Sequence, residues 1–249
     1  MCRPDLDGSS NLKLRAQQSQ WDQLGRIDPL WAILTRPACQ HGCWDVEEFF
    51  ATGEREITEV MARAASFALP AARSTALDFG CGVGRLTQAL AVHFERVTGV
   101  DISPVMIEQA RGYNRYGERC RYVLNRENRL RVLSDRSFDL VYSRITLQHL
   151  PPRHIRSYLR ELVRVLRPGG LLIFQLPASY RSLRVRLWRG VYRVVTRRLL
   201  RLATVIEMYG IPRQRVETLL RECGASVLAV EEDDAAGGEW LNYRYFVTR

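Results

Sequence analysis

The chain has 249 residues, 46% of them apolar, and a formal net charge of +10. That is enough sequence for one α/β domain with its own core, and no apolar run reaches the ~18 residues that would mark a membrane span. Of the 37 basic residues only Lys13 is a lysine, so the charge reads first as a coding bias towards arginine and not as a nucleic-acid footprint.

The first twenty residues are polar and carry acids; they read as loosely ordered, with no apolar stretch of signal-peptide length, and a cytoplasmic location is expected. Residues 21–69 are aromatic and helical in pattern. Val46, Phe49, Phe50, Ile57, Val60, Met61, Ala64 and Phe67 recur at helical spacing before Pro70. Within this segment lies Cys39-Gln40-His41-Gly42-Cys43. Its three soft ligands fall short of the four a structural zinc takes, so it reads as a loop with free thiols and no metal is expected. The scattered placement of all six cysteines points the same way.

From Thr75 onwards short apolar runs alternate with helical patterns. Strands are predicted at Thr75–Phe79, Arg96–Asp101, Arg119–Leu124, Phe138–Tyr142 and Leu171–Leu176, with helices at Gly84–His93, Pro104–Arg111 and Arg153–Leu166. That alternation means a mostly parallel sheet with helices on both faces, a doubly wound α/β fold. Ser179–Ala203 is arginine-rich and helical in pattern, and Pro212–Cys223 is a further helix. Ser226–Glu232 and Tyr243–Thr248 have no helix between them and so predict an antiparallel hairpin at the sheet edge.

Between the first strand and its helix runs Asp78-Phe79-Gly80-Cys81-Gly82-Val83-Gly84. Glycines on such a turn allow positive φ and close approach of a ligand to the backbone, and the helix start offers free N–H groups. This is a cofactor site at the C-terminal edge of the sheet. The dinucleotide spacing G-x-G-x-x-G fails, because Arg85 stands where its third glycine belongs. Asp101 ends the second strand, where a carboxylate accepts the two hydroxyls of a ribose. Ser103 and Pro104 supply the cap and first turn of the following helix, which leaves Asp101 free for that role.

Four stretches together resemble the class I S-adenosylmethionine-dependent methyltransferases: Ala76 to Arg85, Val100-Asp101-Ile102-Ser103, Ser137 to Ser143, and Glu161 to Gly170. The resemblance implies a seven-stranded Rossmann-like sheet whose last strand is antiparallel, with S-adenosyl-L-methionine as cofactor and S-adenosyl-L-homocysteine as product. It implies a cofactor cradle of Asp78, Phe79, Gly80, Cys81, Gly82, Gly84 and Arg85. Asp78 would meet the methionine ammonium and Asp101 the ribose. Ile102 and Met106 would pack near adenine, and Ser143 and Arg144 would lie by the amino-acid end. The acid or amide often found after the third strand in this family falls by spacing on Arg126 or Glu127, flanked by Asn125 and Asn128.

His149, in Leu147-Gln148-His149-Leu150, sits just beyond the fourth strand and is the candidate general base. The other role open to it is packing its loop while bonded to a backbone carbonyl. Trp21, Trp31, Phe50, Gln148, His149 and Trp240 are the candidate acceptor-binding residues. Residues 1–69 are expected to form a lid over a methyltransferase domain at 70–249, with an arginine-rich insert at about 179–210. The expected activity is methyl transfer to oxygen or nitrogen of a small molecule. The other candidate is a non-catalytic binding protein with the same fold, tethered to a membrane or acidic partner. The chain reads Ser143-Arg144-Ile145-Thr146 where base-amino methyltransferases carry Asn/Asp-Pro-Pro-Tyr, which argues against nucleic acid. The basic segment Arg181–Arg201 allows peripheral membrane contact.

Overall fold

A computed structural model describes residues 8–182 and 207–249. The expected arginine-rich insert at about 179–210, with the membrane contact it would allow, therefore lies, but for its ends, outside the described residues. The elements run α1 (Gly8–Ile27), α2 (Pro29–Ile33), α3 (Val46–Ala65), β1 (Thr75–Phe79), α4 (Arg85–Leu90), β2 (Arg96–Asp101), α5 (Pro104–Gly112), β3 (Cys120–Leu124), β4 (Phe138–Ser143), α6 (Pro152–Val165), β5 (Leu166–Tyr180), α7 (Arg213–Glu222), β6 (Ser226–Glu232) and β7 (Trp240–Thr248). Two corrections to the sequence expectations follow. Residues expected to be loose form most of α1. The fifth strand is much longer than Leu171–Leu176, because β7 pairs along it out to Tyr180 and Trp240. Pro177, which has no N–H to give, sits at the register shift of that ladder.

The seven strands lie in the order β3-β2-β1-β4-β5-β7-β6. The first five are mutually parallel, and β7 runs antiparallel between β5 and β6. The chain reverses direction across the sheet at β1 and β4, so the C-terminal ends of β1, β2 and β4 open onto one crevice, where ligands of this architecture bind.

Each face of the sheet carries its own core, set by the two-residue alternation of strands. Leu77 and Phe79 of β1 pack with Ile155, Leu159 and Leu162 of α6 and Val216 and Leu220 of α7. Ala76 packs with Ile57, Val60 and Ala64 of α3, Leu86 and Leu90 of α4, and Ile107 of α5. A third cluster joins Leu30, Trp44, Phe49, Phe50 and Met106 under the N-terminal segment. Helix starts follow the sequence rules. Asp45 accepts from the Glu48 amide at 2.8 Å, and Ser103 accepts from the Met106 amide at 3.2 Å with Pro104 next. Asp139 of β4 takes the amides of Ser74 and Thr75 at 2.9 and 2.8 Å and the Arg167 guanidinium at 2.7 Å, clipping β4 and β5 to the start of β1. Burial works against its charge, and these partners outweigh it and hold the carboxyl below its ordinary pKa.

Candidate cofactor and acceptor cleft

Gly80, Gly82 and Gly84 all take positive φ, at 81°, 52° and 85°. The turn brings the Gly80 and Cys81 amides onto the Val100 carbonyl at 2.8 and 3.1 Å, which binds the loop to the end of β2. A Cβ on Gly80 would lie 2.2 Å from Thr146, and one on Gly84 2.5 Å from the Tyr122 hydroxyl. Asp101 stands beside the loop with its carboxylate fixed by backbone. One oxygen accepts from the Gly82 amide and the other from the Ser103 amide, each at 2.9 Å. Each oxygen keeps a lone pair for a further donor, the arrangement a vicinal diol needs. Burial raises the Asp101 carboxyl above its usual pKa, although these amides pull the other way.

The loop and Asp101 open into a cleft of about 970 Å³, including the solvent at its mouth. Of the residues expected from sequence, Phe79, Gly80, Cys81, Gly82, Arg85, Asp101, Ile102, Met106, Arg144, Trp21 and His149 line it.

Others lie elsewhere, for identifiable reasons. Asp78 alternates with Leu77 and Phe79 and so points to the α3–α4 face, where it accepts from the Thr87 hydroxyl at 2.7 Å. Burial raises its carboxyl to about 7, with the Thr87 bond working against that shift. It does not line the cleft. Gly84 lies under the loop against Tyr122. The Ser143 hydroxyl donates to the Phe79 carbonyl at 3.0 Å and is fully buried. Arg126 and Glu127 are exposed, and Glu127 faces Arg131. The residue that lines the cleft after β3 is Asn125, whose amide donates to the Asp101 carbonyl at 2.9 Å and whose side chain donates to the Glu127 carbonyl at 2.9 Å.

The acceptor candidates divide as well. Trp31 donates from its indole to the Arg36 carbonyl. Phe50 is buried against Phe49 and Tyr113. Trp240 lies on Tyr180, with ring centroids 4.0 Å apart. None of the three lines the cleft. Gln148 is buried just behind His149.

His149 does reach the cleft, and Trp21 meets it edge-on at 5.4 Å. A chain of oriented amides fixes its ring. The Ile145 amide can only donate, and it donates to Gln175 Oε1 at 3.0 Å. Gln175 Nε2 must then donate, to Gln148 Oε1 at 3.0 Å and Asn242 Oδ1 at 2.5 Å. Gln148 Nε2 in turn donates to His149 Nε2 at 3.2 Å, and His149 Nδ1–H donates to the Glu207 carbonyl at 3.3 Å. Both ring nitrogens are thus engaged, and burial lowers the imidazole pKa to about 4. The ring is neutral and a weak base. Ile145 itself holds φ at 54°, a conformation costing a β-branched residue ~1–3 kcal/mol, and the bond to Gln175 helps retain it.

Gln17, Ile33, Leu86, Thr146 and Tyr158 also line the cleft, as does Asn125, which the sequence marks only as a neighbour of Arg126. Asn125 alone left a signal: like Asp101 and Ser143, it stands where a parallel strand reaches the crevice. Gln17 and Trp21 arrive on α1. That helix spans the cleft, with Gln17 donating to the His149 carbonyl, Ser103 donating to Asp22 at 2.6 Å, and Gln109 donating to the Gly25 carbonyl at 2.6 Å. Among the described residues no cluster of histidine, cysteine, aspartate and glutamate is arranged to hold a metal, and no helix is long and apolar enough to cross a membrane.

Comparison with known proteins agrees with this geometry. Residues 76–170 match the family model of a methyltransferase domain. The chain is 34% identical over 151 residues to 27-O-demethylrifamycin SV methyltransferase of Amycolatopsis mediterranei, covering 59% of this chain and 52% of that protein. It is 27% identical over 155 residues to 2-methyl-6-phytyl-1,4-hydroquinone methyltransferase of Synechocystis, covering 62% and 48%. The chain thus spans about half the length of these curated relatives. In fold it is similar to magnesium protoporphyrin IX methyltransferase from Synechocystis with bound S-adenosylhomocysteine, at a TM-score of 0.65 and 16% identity, covering 94% of this chain and 99% of that one. Residues 76–170 thus match a methyltransferase domain, on a fold shared with a methyltransferase solved with S-adenosylhomocysteine and with S-adenosylmethionine bound.

Proposed function

Proceeding from this match to a methyltransferase domain, we propose that this protein transfers the methyl group of S-adenosylmethionine to an oxygen or nitrogen of a small molecule enclosed beneath α1. One observation carries the reading. The glycine turn, a carboxylate anchored by two amides, and an apolar wall of Trp21, Ile33, Ile145 and Leu150 converge on one cleft.

The residues present fit the cofactor. Asp101 offers two oriented lone pairs to ribose, Ile102 and Tyr158 offer flat or apolar surface to adenine, and Asn125 offers it a side-chain amide. The close approach of Thr146 to Gly80 leaves only bare backbone on that side of the cradle. When bound, S-adenosylmethionine supplies a methyl group already activated by a sulfonium. The protein's part is orientation and exclusion of water. Residues 1–69, through α1, act as the cover over the 70–249 domain, with Trp21 and the His149 ring forming its inner surface.

His149 is assigned to that surface and not to proton abstraction. Its Nε2 lone pair is held by Gln148, and its lowered pKa makes it a poor proton acceptor at neutral pH. The acceptor therefore enters already nucleophilic or gives its proton to solvent.

Calorimetry with S-adenosylhomocysteine on the full chain tests the reading, followed by mass spectrometry of candidate acceptors for the gain of one methylene. Saturable binding and a methylated product are expected. Absence of any heat of binding would overturn the assignment.

A further inference from the structure

Three buried side-chain amides stand behind the cleft wall, and all of them point the same way along one chain of hydrogen bonds. Gln148, Gln175 and Asn242 are 3%, 1% and 0% exposed, and none of them lines the cleft. One end of the chain is the Ile145 amide, which can only donate, to Gln175. The other end is Asp233, whose carbonyl and carboxylate can only accept, from the Asn242 side-chain nitrogen at 3.2 and 3.3 Å. Both ends demand the same orientation of Gln175, with its nitrogen donating to Gln148 and to Asn242. Gln148 then turns its own nitrogen to His149 Nε2, while the Glu207 carbonyl, which can only accept, holds the ring at Nδ1. Only the neutral imidazole with its proton on Nδ1 meets both conditions. Charging the ring would set an N–H against an N–H at Gln148. A flip of Gln148 would move that conflict to Gln175, and a flip of Gln175 would move it to Ile145 and Asn242. Buried amides in such contacts lose their bonds with no water to replace them. The charged groups of the neighbouring segments are engaged elsewhere. The Glu207 carboxylate takes the Tyr209 hydroxyl, Arg144 is held by Glu56 and Asp233, and Asp22 of α1 takes Ser103.

We propose that Gln148, Gln175 and Asn242 are positioning residues that act as one relay and keep His149 uncharged on the wall of a cleft whose ligand is a cation. The role towards the ligand rests on the methyl-transfer reading, because the positive charge is the sulfonium of S-adenosylmethionine. A neutral ring leaves that charge unopposed. An imidazolium in a cleft this poorly screened would repel it, and would weaken the methyl-bearing cofactor more than the spent thioether. Burial by itself disfavours the charged ring and lowers its pKa, although the Glu207 carbonyl works the other way. The relay adds direction: it decides which nitrogen is bare and leaves neither nitrogen to a ligand. Its members come from the turn after β4, from β5 and from β7. The protonation of a cleft residue is thus set by strands whose own side chains stay out of the cleft.

Proton–nitrogen NMR correlation spectra of the histidine rings, recorded on the full chain with and without S-adenosylhomocysteine, test the relay; His149→Phe identifies the signals. Wild-type His149 should carry its proton on Nδ1, keep Nε2 bare and show no change of charge between about pH 6 and 8. In Gln148→Glu the carboxylate still accepts from Gln175 but can only accept from His149, so the ring should hold both protons over that range. Gln148→Met fills a similar space without a donor or a charge; its ring should stay neutral while the Nε2 signal moves. Calorimetry then compares S-adenosylmethionine with S-adenosylhomocysteine, which differ by one methyl group and one positive charge. Gln148→Glu should weaken the sulfonium form relative to the thioether by about threefold or more against wild type, and Gln148→Met should keep the wild-type ratio. The relay is overturned if wild-type His149 titrates in that range or carries its proton on Nε2, or if Gln148→Glu leaves the ring neutral. A ratio that does not respond to a charged ring overturns the role towards the cofactor. If wild type binds neither compound, the methyl-transfer reading falls, and the spectra of the chain without ligand still decide the relay.

Discussion

The two walls of the cleft are built by different means. The wall at β1 and β2 is made of backbone: three glycines at positive φ, amides placed on Val100, and a carboxylate pinned by the amides of Gly82 and Ser103. The wall beyond β4 is made of long polar side chains gathered from distant parts of the chain. Gln148, Gln175 and Asn242 orient one another, while Glu56, Arg85 and Arg144 neutralise most of one another's charge. A backbone wall needs particular residues at fixed local spacing. A side-chain wall needs only that partners meet in space, so its members can change together and with them the molecule that is accepted.

The sharpest way to break this contrast is at Gly80. An added Cβ would meet Thr146 at 2.2 Å in a backbone conformation that alanine resists. Gly80→Ala should lower S-adenosylhomocysteine affinity by about a hundredfold or more; tolerance of alanine would show that the turn is not fixed by its backbone. Next comes Asp101→Asn, which keeps shape and removes charge. Losing charge-assisted bonds to the ribose should cost about tenfold to a hundredfold in the same titration. Its pH dependence sharpens the point. Ribose hydroxyls favour the ionised carboxylate, whose pKa is already raised by burial. Wild-type affinity should therefore fall on acidification from a higher pH than an ordinary aspartate would give, and the asparagine variant should lack that fall.

On the other wall, Gln175→Leu strands the Ile145 amide, Gln148 Oε1 and Asn242 Oδ1 together. Thermal or urea unfolding should register a loss of ~2–4 kcal/mol. The His149 ring nitrogens should change their NMR signature as Gln148 is released. An unmoved histidine spectrum would sever the proposed chain of amides. The smallest effect is expected from Asp78→Asn, away from both walls. A carboxyl raised to about 7 in the folded protein, against 3.8 as the reference value, adds stability at low pH that is lost as pH rises towards 7. The amide avoids that loss, so the variant should melt higher than wild type by a margin of about 1–3 kcal/mol at pH 8. That margin should shrink towards pH 4.

The same contrast explains what the sequence discloses. Local rules suffice for the glycine turn, for Asp101, for the Ser103–Pro104 helix start and for the order of strands, because each rests on neighbours within a few residues. They misplace Asp78 by ignoring which face of β1 it occupies, and they point to Arg126 and Glu127, which are exposed, where Asn125 lines the cleft and continues the hydrogen bonding to Asp101. Bulk and aromaticity mark Trp31, Phe50 and Trp240 as ligands, although each fills a packing site. Gln17 lies in a segment whose polarity reads as disorder; α1 owes its place to tertiary contacts such as buried Leu14 and the Asp22–Ser103 bond. Gln175 sits inside an apolar strand, where a lone polar residue gives no hint that it holds three partners.

The Asp22–Ser103 bond has a further consequence. Ser103 belongs to the short turn that fixes Asp101, so α1 is fastened to the very segment on which the ribose would rest. The helix lining that side of the cleft is thereby tied at three points along its length. Under the proposed methyl transfer, loosening that fastening should loosen the ribose support as well, so cover and cofactor seat are mechanically one piece.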